Sequence, residues 1–130
     1  MVRKVLTPNM EDYLEAIGSL SKVKKVVRVK DVAKKLGVKT SSVNNALARL
    51  SKGGLITHER YGYVELTPQG KALAREIEAR HNTLIKFLRE VLKISPQTAK
   101  EDACKMEHSI SKQTFQKLKE LVESLENNKK

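Results

Sequence analysis

The stretch DVAKKLGVKTSSVNNALARLSKGG, from Asp31 to Gly54, decides the fold. Its apolar residues Val32, Ala33 and Leu36 recur at helical spacing and stop at Gly37, the residue type that ends helices in a left-handed conformation. A tight turn follows, for which Thr40 and Ser41 are candidate N-caps. Val43, Ala46, Leu47 and Leu50 then repeat at intervals of three and four until Gly53-Gly54. The pattern predicts helix, short turn, helix.

Upstream, Pro8 suits a first helical position with Thr7 as its cap, and Tyr13, Leu14, Ile17 and Leu20 predict a helix running to about Lys22. Val27-Arg28-Val29 reads as a short extended stretch leading into the helix at Asp31. Downstream, Leu55 to Arg60 and Tyr63 to Thr67 alternate with period two around Tyr61-Gly62, the signature of a β-hairpin, and Thr67-Pro68 opens the next helix. Three helices and a two-stranded hairpin make the winged helix-turn-helix plan, with Thr40 to Lys52 as the recognition helix.

From Gln69, the positions Leu73, Ile77, Leu84, Phe87, Leu88 and Val91 predict one long helix ending before Ser95-Pro96. Residues 97–108 form a further helix with Ala99, Ala103 and Met106 inward. Phe115, Leu118, Leu121, Val122 and Leu125 make the apolar stripe of a last one, beyond which Asn127 to Lys130 should fray. The predicted fold is therefore mainly α with a small β-hairpin. Residues 1–70 are expected to form a winged helix-turn-helix domain, and residues 71–130 a second, helical domain.

At 130 residues and 14.7 kDa the chain suits one ordinary domain or two small lobes, not a multidomain enzyme. A net charge of +11 and a pI near 9.8 favour an anionic partner. Residues 22–52 concentrate that charge, with ten basic side chains against the single acid Asp31. Apolar runs are too short for a membrane span or a signal peptide, so a cytoplasmic protein is expected. The single cysteine, Cys104, excludes a disulfide-stapled secreted module.

The recognition helix presents Ser41, Ser42, Asn44, Asn45 and Arg49, polar groups that can reach base edges and phosphates, with Ser41 and Asn45 the preferred base-edge candidates. Arg28, Lys39, Thr40 and, in the wing, Arg60 complete the expected DNA-facing set. A second constellation consists of metal-ligand types. Asp12 and Glu15 stand at i, i+3 on the first helix, and Cys104, Glu107 and His108 stand at i, i+3 and i+4, about one turn apart on one helical face. His81, on the long helix, is a further contributor. Sulfur, nitrogen and oxygen donors together suit a divalent first-row transition metal rather than calcium or magnesium.

The runs Thr7 to Ile17, Val38 to Leu50, Leu66-Thr67-Pro68-Gln69-Gly70, Arg80-His81 and Ala103 to His108 together resemble the diphtheria toxin repressor family of metal-dependent regulators, including its manganese-sensing branch. The resemblance covers nearly the whole chain. It implies a homodimer with an N-terminal DNA-binding lobe and a helical dimerisation lobe, which represses metal-uptake genes when Fe(II) or Mn(II) binds between the lobes. Double-stranded DNA is the partner it implies, with no membrane and no small-molecule substrate.

By the same resemblance, Asp12 and Glu15 match the helix-one carboxylates of the manganese branch. His81 matches the long-helix histidine, and Glu107 and His108 match the Glu-His pair. Cys104 matches the iron branch, so the ligand set is a hybrid, and Fe(II) is favoured over Mn(II), with Zn(II), Co(II) or Ni(II) compatible with the thiolate. Ile85 and Lys100 stand where the iron branch has ligands of an ancillary site. The SH3-like domain of full-length iron-type members is expected to be absent.

The alternative reading is a winged-helix repressor that needs no metal or responds to another ligand. A metallohydrolase built on His81, Glu107 and His108 would need a signature such as His-Glu-x-x-His, a nucleophile elbow or a phosphate loop. None is present, and no enzyme is expected.

Overall fold

The structure, a computed structural model, describes residues 8–59 and 62–128. The chain divides into two compact units, the first ending at Ile77 and the second beginning at Glu78. Thr7, Arg60, Tyr61 and the last two residues, on which parts of the sequence reading fell, lie outside the described residues.

In the first unit α1 spans Pro8–Val23, β1 Val27–Arg28, α2 Val29–Leu36, α3 Thr40–Lys52, β2 Ile56–His58 and β3 Tyr63–Leu66, after which α4 begins at Pro68. The three strands form an antiparallel sheet in the order β1-β3-β2, with Val27 opposite Val64 and His58 also opposite Val64 from the other side. Leu14 and Ile17 of α1, Val32 of α2, Val43, Leu47 and Leu50 of α3, and Val64 of β3 close one core with Ile77 of α4. The three-helix and wing plan stands.

Three details of the first unit differ from the sequence reading. The wing sheet has three strands, because β1 adds to the hairpin through two residues, too few for a period-two pattern. Helix α2 starts at Val29 rather than Asp31. The Asp31 carboxylate reaches back to accept the Arg28 N–H at 2.9 Å, so Asp31 sits in the first turn as a cap rather than opening the helix. Lys24 holds the same carboxylate at 3.0 Å, and these partners lower its pKa, the backbone hydrogen bond foremost. Neither Thr40 nor Ser41 caps α3. Lys39 occupies the N-cap position with extended backbone and no side-chain hydrogen bond, and Thr40 is the first helical residue.

Gly37 behaves as the sequence predicts, with φ 66° and ψ 37°, and the Val38 N–H returns to the Ala33 carbonyl at 3.1 Å. No atom lies within 4 Å of where a Cβ would stand, so the position is constrained by conformation and not by space. Gly37→Ala is accordingly expected to cost about 1 kcal/mol of stability, read from the denaturant midpoint. An unchanged midpoint would contradict it.

The second unit takes up α4 (Pro68–Lys86) from Glu78 onward, then α5 (Pro96–Met106) and α6 (Lys112–Asn128). The long helix is not uniformly α. It widens into a π-helical turn at Phe87–Val91, where the Leu92 N–H reaches the Phe87 carbonyl at 3.2 Å and the Ile94 N–H reaches Leu88 at 2.9 Å past the left-handed Lys93. Ser95 caps α5, accepting the Thr98 N–H, with Pro96 at the first helical position. Leu84, Leu88, Ala99 and Ala103 form the second core, and Phe115, Leu118 and Met106 pack against it. Helix α5 ends at Met106, two residues before the predicted boundary, and α6 stays helical through Asn128 where fraying was expected. On α6, Val122 is buried while Leu121 and Leu125 of the same stripe are exposed.

Candidate metal centre and DNA-binding face

Ala99, Ala103 and Glu107 follow one another at four-residue intervals along α5 and its C-cap. The two alanines are wholly buried, and such small side chains let the helix approach its neighbours closely. Glu107 is carried inward with them and is 5 % exposed, the one buried polar or charged residue among those described. Neither of its carboxylate oxygens accepts a hydrogen bond. His81 Nδ1, from α4, lies 3.4 Å from Glu107 Oε1, and His108 Nε2, from the turn after α5, lies 3.8 Å from the same oxygen. Donor atoms of His81, Cys104 and Glu107 all fall within 4.8 Å of one another.

This arrangement fits a divalent cation. Ligands about 2.0–2.3 Å from a common ion stand roughly 3–4 Å from each other, and both imidazole nitrogens stand at such a distance from Glu107 Oε1. A carboxylate deprived of both water and hydrogen-bond donors is costly to bury, and a cation against its oxygens removes that cost. The sequence spacing placed Cys104, Glu107 and His108 on one helical face. Because α5 stops at Met106, the helical relation holds for Cys104 and Glu107, whereas His108 is positioned by a turn in which its N–H faces the Lys105 carbonyl. Cys104 itself is exposed. Asp12 and Glu15 lie on α1 in the first unit, each half-buried beside the buried Tyr13, Leu14 and Ala16.

On α3, Thr40, Ser41, Ser42, Asn44, Asn45 and Arg49 are all exposed, as is Lys39 before it, while Val43, Ala46, Leu47 and Leu50 are buried. The first turn carries no acid and no side-chain cap, leaving its N–H groups available to an anion. Arg28 stacks over the ring of Tyr63, its cross-strand partner, with the guanidinium carbon 5.2 Å from the ring centroid. Sequence reasoning identified Arg28 and the extended stretch that carries it but missed Tyr63 as its platform, because the pairing of that stretch with β3 was not predicted. Arg60 falls outside the described residues.

A polar, cationic winged helix-turn-helix followed by a helical unit bearing a mixed sulfur, nitrogen and oxygen cluster defines a DNA-binding regulator of the metal-responsive class. Residues 5–69 match the model of the iron-dependent repressor N-terminal DNA-binding domain, and residues 67–130 match that of the iron-dependent repressor metal-binding and dimerisation domain. The chain belongs to the diphtheria toxin repressor family of metal-dependent transcriptional repressors.

It is 34% identical to the HTH-type transcriptional regulator MntR of Lysinibacillus sphaericus, over 94% of this chain and 87% of that protein. Among solved structures it is similar to the manganese regulator SloR, with a TM-score of 0.78 and 27% identity, and to the IdeR protein of T. acidophilum, with a TM-score of 0.75 and 27% identity. These matches cover 91% and 85% of this chain. The chain spans only 55% and 52% of those two structures, about half their length. The matched domains are those of a regulator and not of an enzyme. No helix among the described residues is long and apolar enough to cross a membrane.

Proposed function

We propose that this chain is a cytoplasmic, homodimeric repressor of metal-uptake genes whose operator affinity is set by a divalent first-row metal. Asp12, Glu15, His81, Cys104, Glu107 and His108 supply the donors. The observation that carries the reading is the buried Glu107 carboxylate, flanked by two imidazoles and accepting no hydrogen bond. A bound metal supplies positive charge and fixed coordination geometry. The donors come from both the DNA-binding segment, residues 1–70, and the dimerisation segment, residues 71–130. Metal occupancy therefore biases how the two recognition helices are presented to half-sites about 34 Å apart or at a related spacing.

Fe(II) is the preferred ion, because Cys104 contributes a thiolate, and Mn(II) is next, because three carboxylates favour a harder cation. The similarity to a structure described as a manganese regulator supports Mn(II) as the second reading. Zn(II), Co(II) and Ni(II) are further ions the thiolate accommodates.

Double-stranded DNA is read by α3, with Ser41 and Asn45 at base edges, and with Ser42, Asn44, Thr40, Lys39, Arg49, Arg28 and Arg60 at neighbouring bases and phosphates. Titration of metal-loaded protein against fragments from upstream of its own gene and of metal-transporter genes tests this. Asn45→Ala is expected to lose about 1–3 kcal/mol on the preferred site and little on unrelated DNA. Arg49→Ala is expected to weaken both alike and to reduce the slope of log affinity against log salt by about one. Equal losses on both DNAs for Asn45→Ala would remove it from base readout.

A further inference from the structure

We propose that Tyr63 and Asp31 are positioning residues that hold Arg28 in place, ahead of binding, for a phosphate of the DNA backbone; the inference rests on the DNA-binding reading above, in which Arg28 meets that backbone. Arg28 is exposed, ends β1 and stands at the N-cap of α2. Its backbone is fixed from two directions. Across the sheet it is the register partner of Tyr63, and its N–H is accepted by the Asp31 carboxylate at 2.9 Å. Its side chain is fixed as well. The guanidinium carbon lies 5.2 Å from the centroid of the Tyr63 ring, and Nη2 donates to the Tyr63 hydroxyl at 3.4 Å. A guanidinium carries five N–H donors, so most of them remain for phosphate oxygens, which it meets two at a time. An exposed arginine without such supports keeps many rotamers, and ordering it on a partner weakens binding by about 2- to 10-fold.

Asp31 is the member whose role runs against its charge. It is the single acid among the ten basic side chains of residues 22–52, and a negative charge beside a phosphate backbone opposes binding. The geometry gives it the opposite effect. One carboxylate oxygen, Oδ2, accepts the Arg28 N–H and so fixes the backbone from which the guanidinium extends. The other, Oδ1, lies 3.0 Å from Lys24 Nζ, which balances the charge locally. Asp31 anchors the root of the Arg28 side chain and Tyr63 supports its head.

The test uses charge-matched pairs of variants. Anisotropy reads the affinity of Mn(II)-loaded protein for a labelled duplex from upstream of its own gene, across a range of salt. Asp31→Asn removes the charge but keeps an oxygen able to accept the Arg28 N–H, whereas Asp31→Ala removes both. Tyr63→Phe keeps the aromatic face, and Tyr63→Leu does not. Asp31→Asn should bind at least as tightly as wild type, and Tyr63→Phe as tightly. Asp31→Ala and Tyr63→Leu should each lose about 2- to 10-fold, although Asp31→Ala makes the protein more cationic. Arg28→Ala should lower the slope of log affinity against log salt by about one. In an Arg28→Ala background neither Asp31→Ala nor Tyr63→Leu should weaken binding further, which separates positioning of Arg28 from general damage to the fold. Equal losses with and without Arg28, Asp31→Ala binding as tightly as Asp31→Asn, or Arg28→Ala binding as wild type overturns the inference. Wild-type protein that binds no duplex overturns the DNA-binding reading and this inference with it.

Discussion

Glu107→Leu is expected to raise the thermal midpoint of the metal-free protein while abolishing its response to metal. The Glu107 side chain is fully excluded from solvent, and its nearest cationic candidates are two imidazoles at 3.4 and 3.8 Å, outside hydrogen-bonding geometry. Removing a carboxylate from water costs several kcal/mol unless close pairing and hydrogen bonds repay it, and replacing an imperfectly compensated buried ion by an apolar side chain stabilises proteins by about 1–4 kcal/mol. Leucine has comparable bulk and joins a wall that already contains Ala99 and Ala103. With metal present the sign reverses. The wild-type carboxylate becomes a ligand, and its loss should lower metal affinity by at least ~100-fold, beyond what outer-shell substitutions cost. Thermal scans with and without Mn(II) read both effects. A metal-free midpoint that falls by several degrees would instead make Glu107 a structural ion-pair partner.

Gly70→Ala is expected to be the most damaging small substitution in the first unit. A Cβ at Gly70 would overlap the backbone carbonyl of Leu55 and crowd Leu66 Cδ2 at 3.3 Å. That carbonyl is not free to move, since it accepts the Thr67 N–H at 3.0 Å. The Thr67 hydroxyl ties the same corner twice, donating to the Gly54 carbonyl at 2.7 Å and accepting the Gly70 N–H at 3.1 Å. The corner joins the end of α3, the entry to β2 and the first turn of α4, so relief of the clash must shift backbone rather than a rotamer. A loss of about 3 kcal/mol or more is expected in chemical denaturation, at the upper end of overpacking effects. A loss under about 0.5 kcal/mol, the range of neutral surface changes, would show that the corner relaxes freely.

Much of this architecture is legible in local chemistry. Helix α3 begins at Thr40 and ends at Lys52, as its apolar spacing predicts, and Gly37 and Thr67-Pro68 mark boundaries by conformational rules that need no tertiary partner. What the sequence hides depends on partners distant in the chain. Strand β1 exists because Val27 and Arg28 meet Val64 and Tyr63 across the sheet, and two residues carry no period. The start of α2 lies earlier than its apolar spacing suggests because Asp31 accepts from behind itself, and the N-cap of α3 differs from Thr40 or Ser41 because Lys39 uses no side chain at all. The π-helical turn at Phe87–Val91 has no compositional mark, as its residues would equally suit an α-helix.

The metal ligands divide in the same way. Cys104 and Glu107 are related by helical spacing and so could be grouped from sequence. The approach of His81 on α4 follows from the burial of Leu84, Ala99 and Ala103, which spacing along one helix does not encode. The burial of Glu107 was likewise invisible, since a glutamate near a helix end is ordinarily solvated.

The central claim, that metal occupancy governs DNA binding, is tested most directly by operator affinity. Anisotropy titrations of a labelled operator fragment would be run with metal-free protein and with protein saturated anaerobically with Fe(II), or with Mn(II), followed by chelator. Coupling of the usual size predicts that metal tightens binding about 5- to 150-fold, and that chelator reverses the change. Affinity that is tight and identical in all three conditions would contradict the account, leaving a winged-helix repressor whose His81, Cys104 and Glu107 serve some other end.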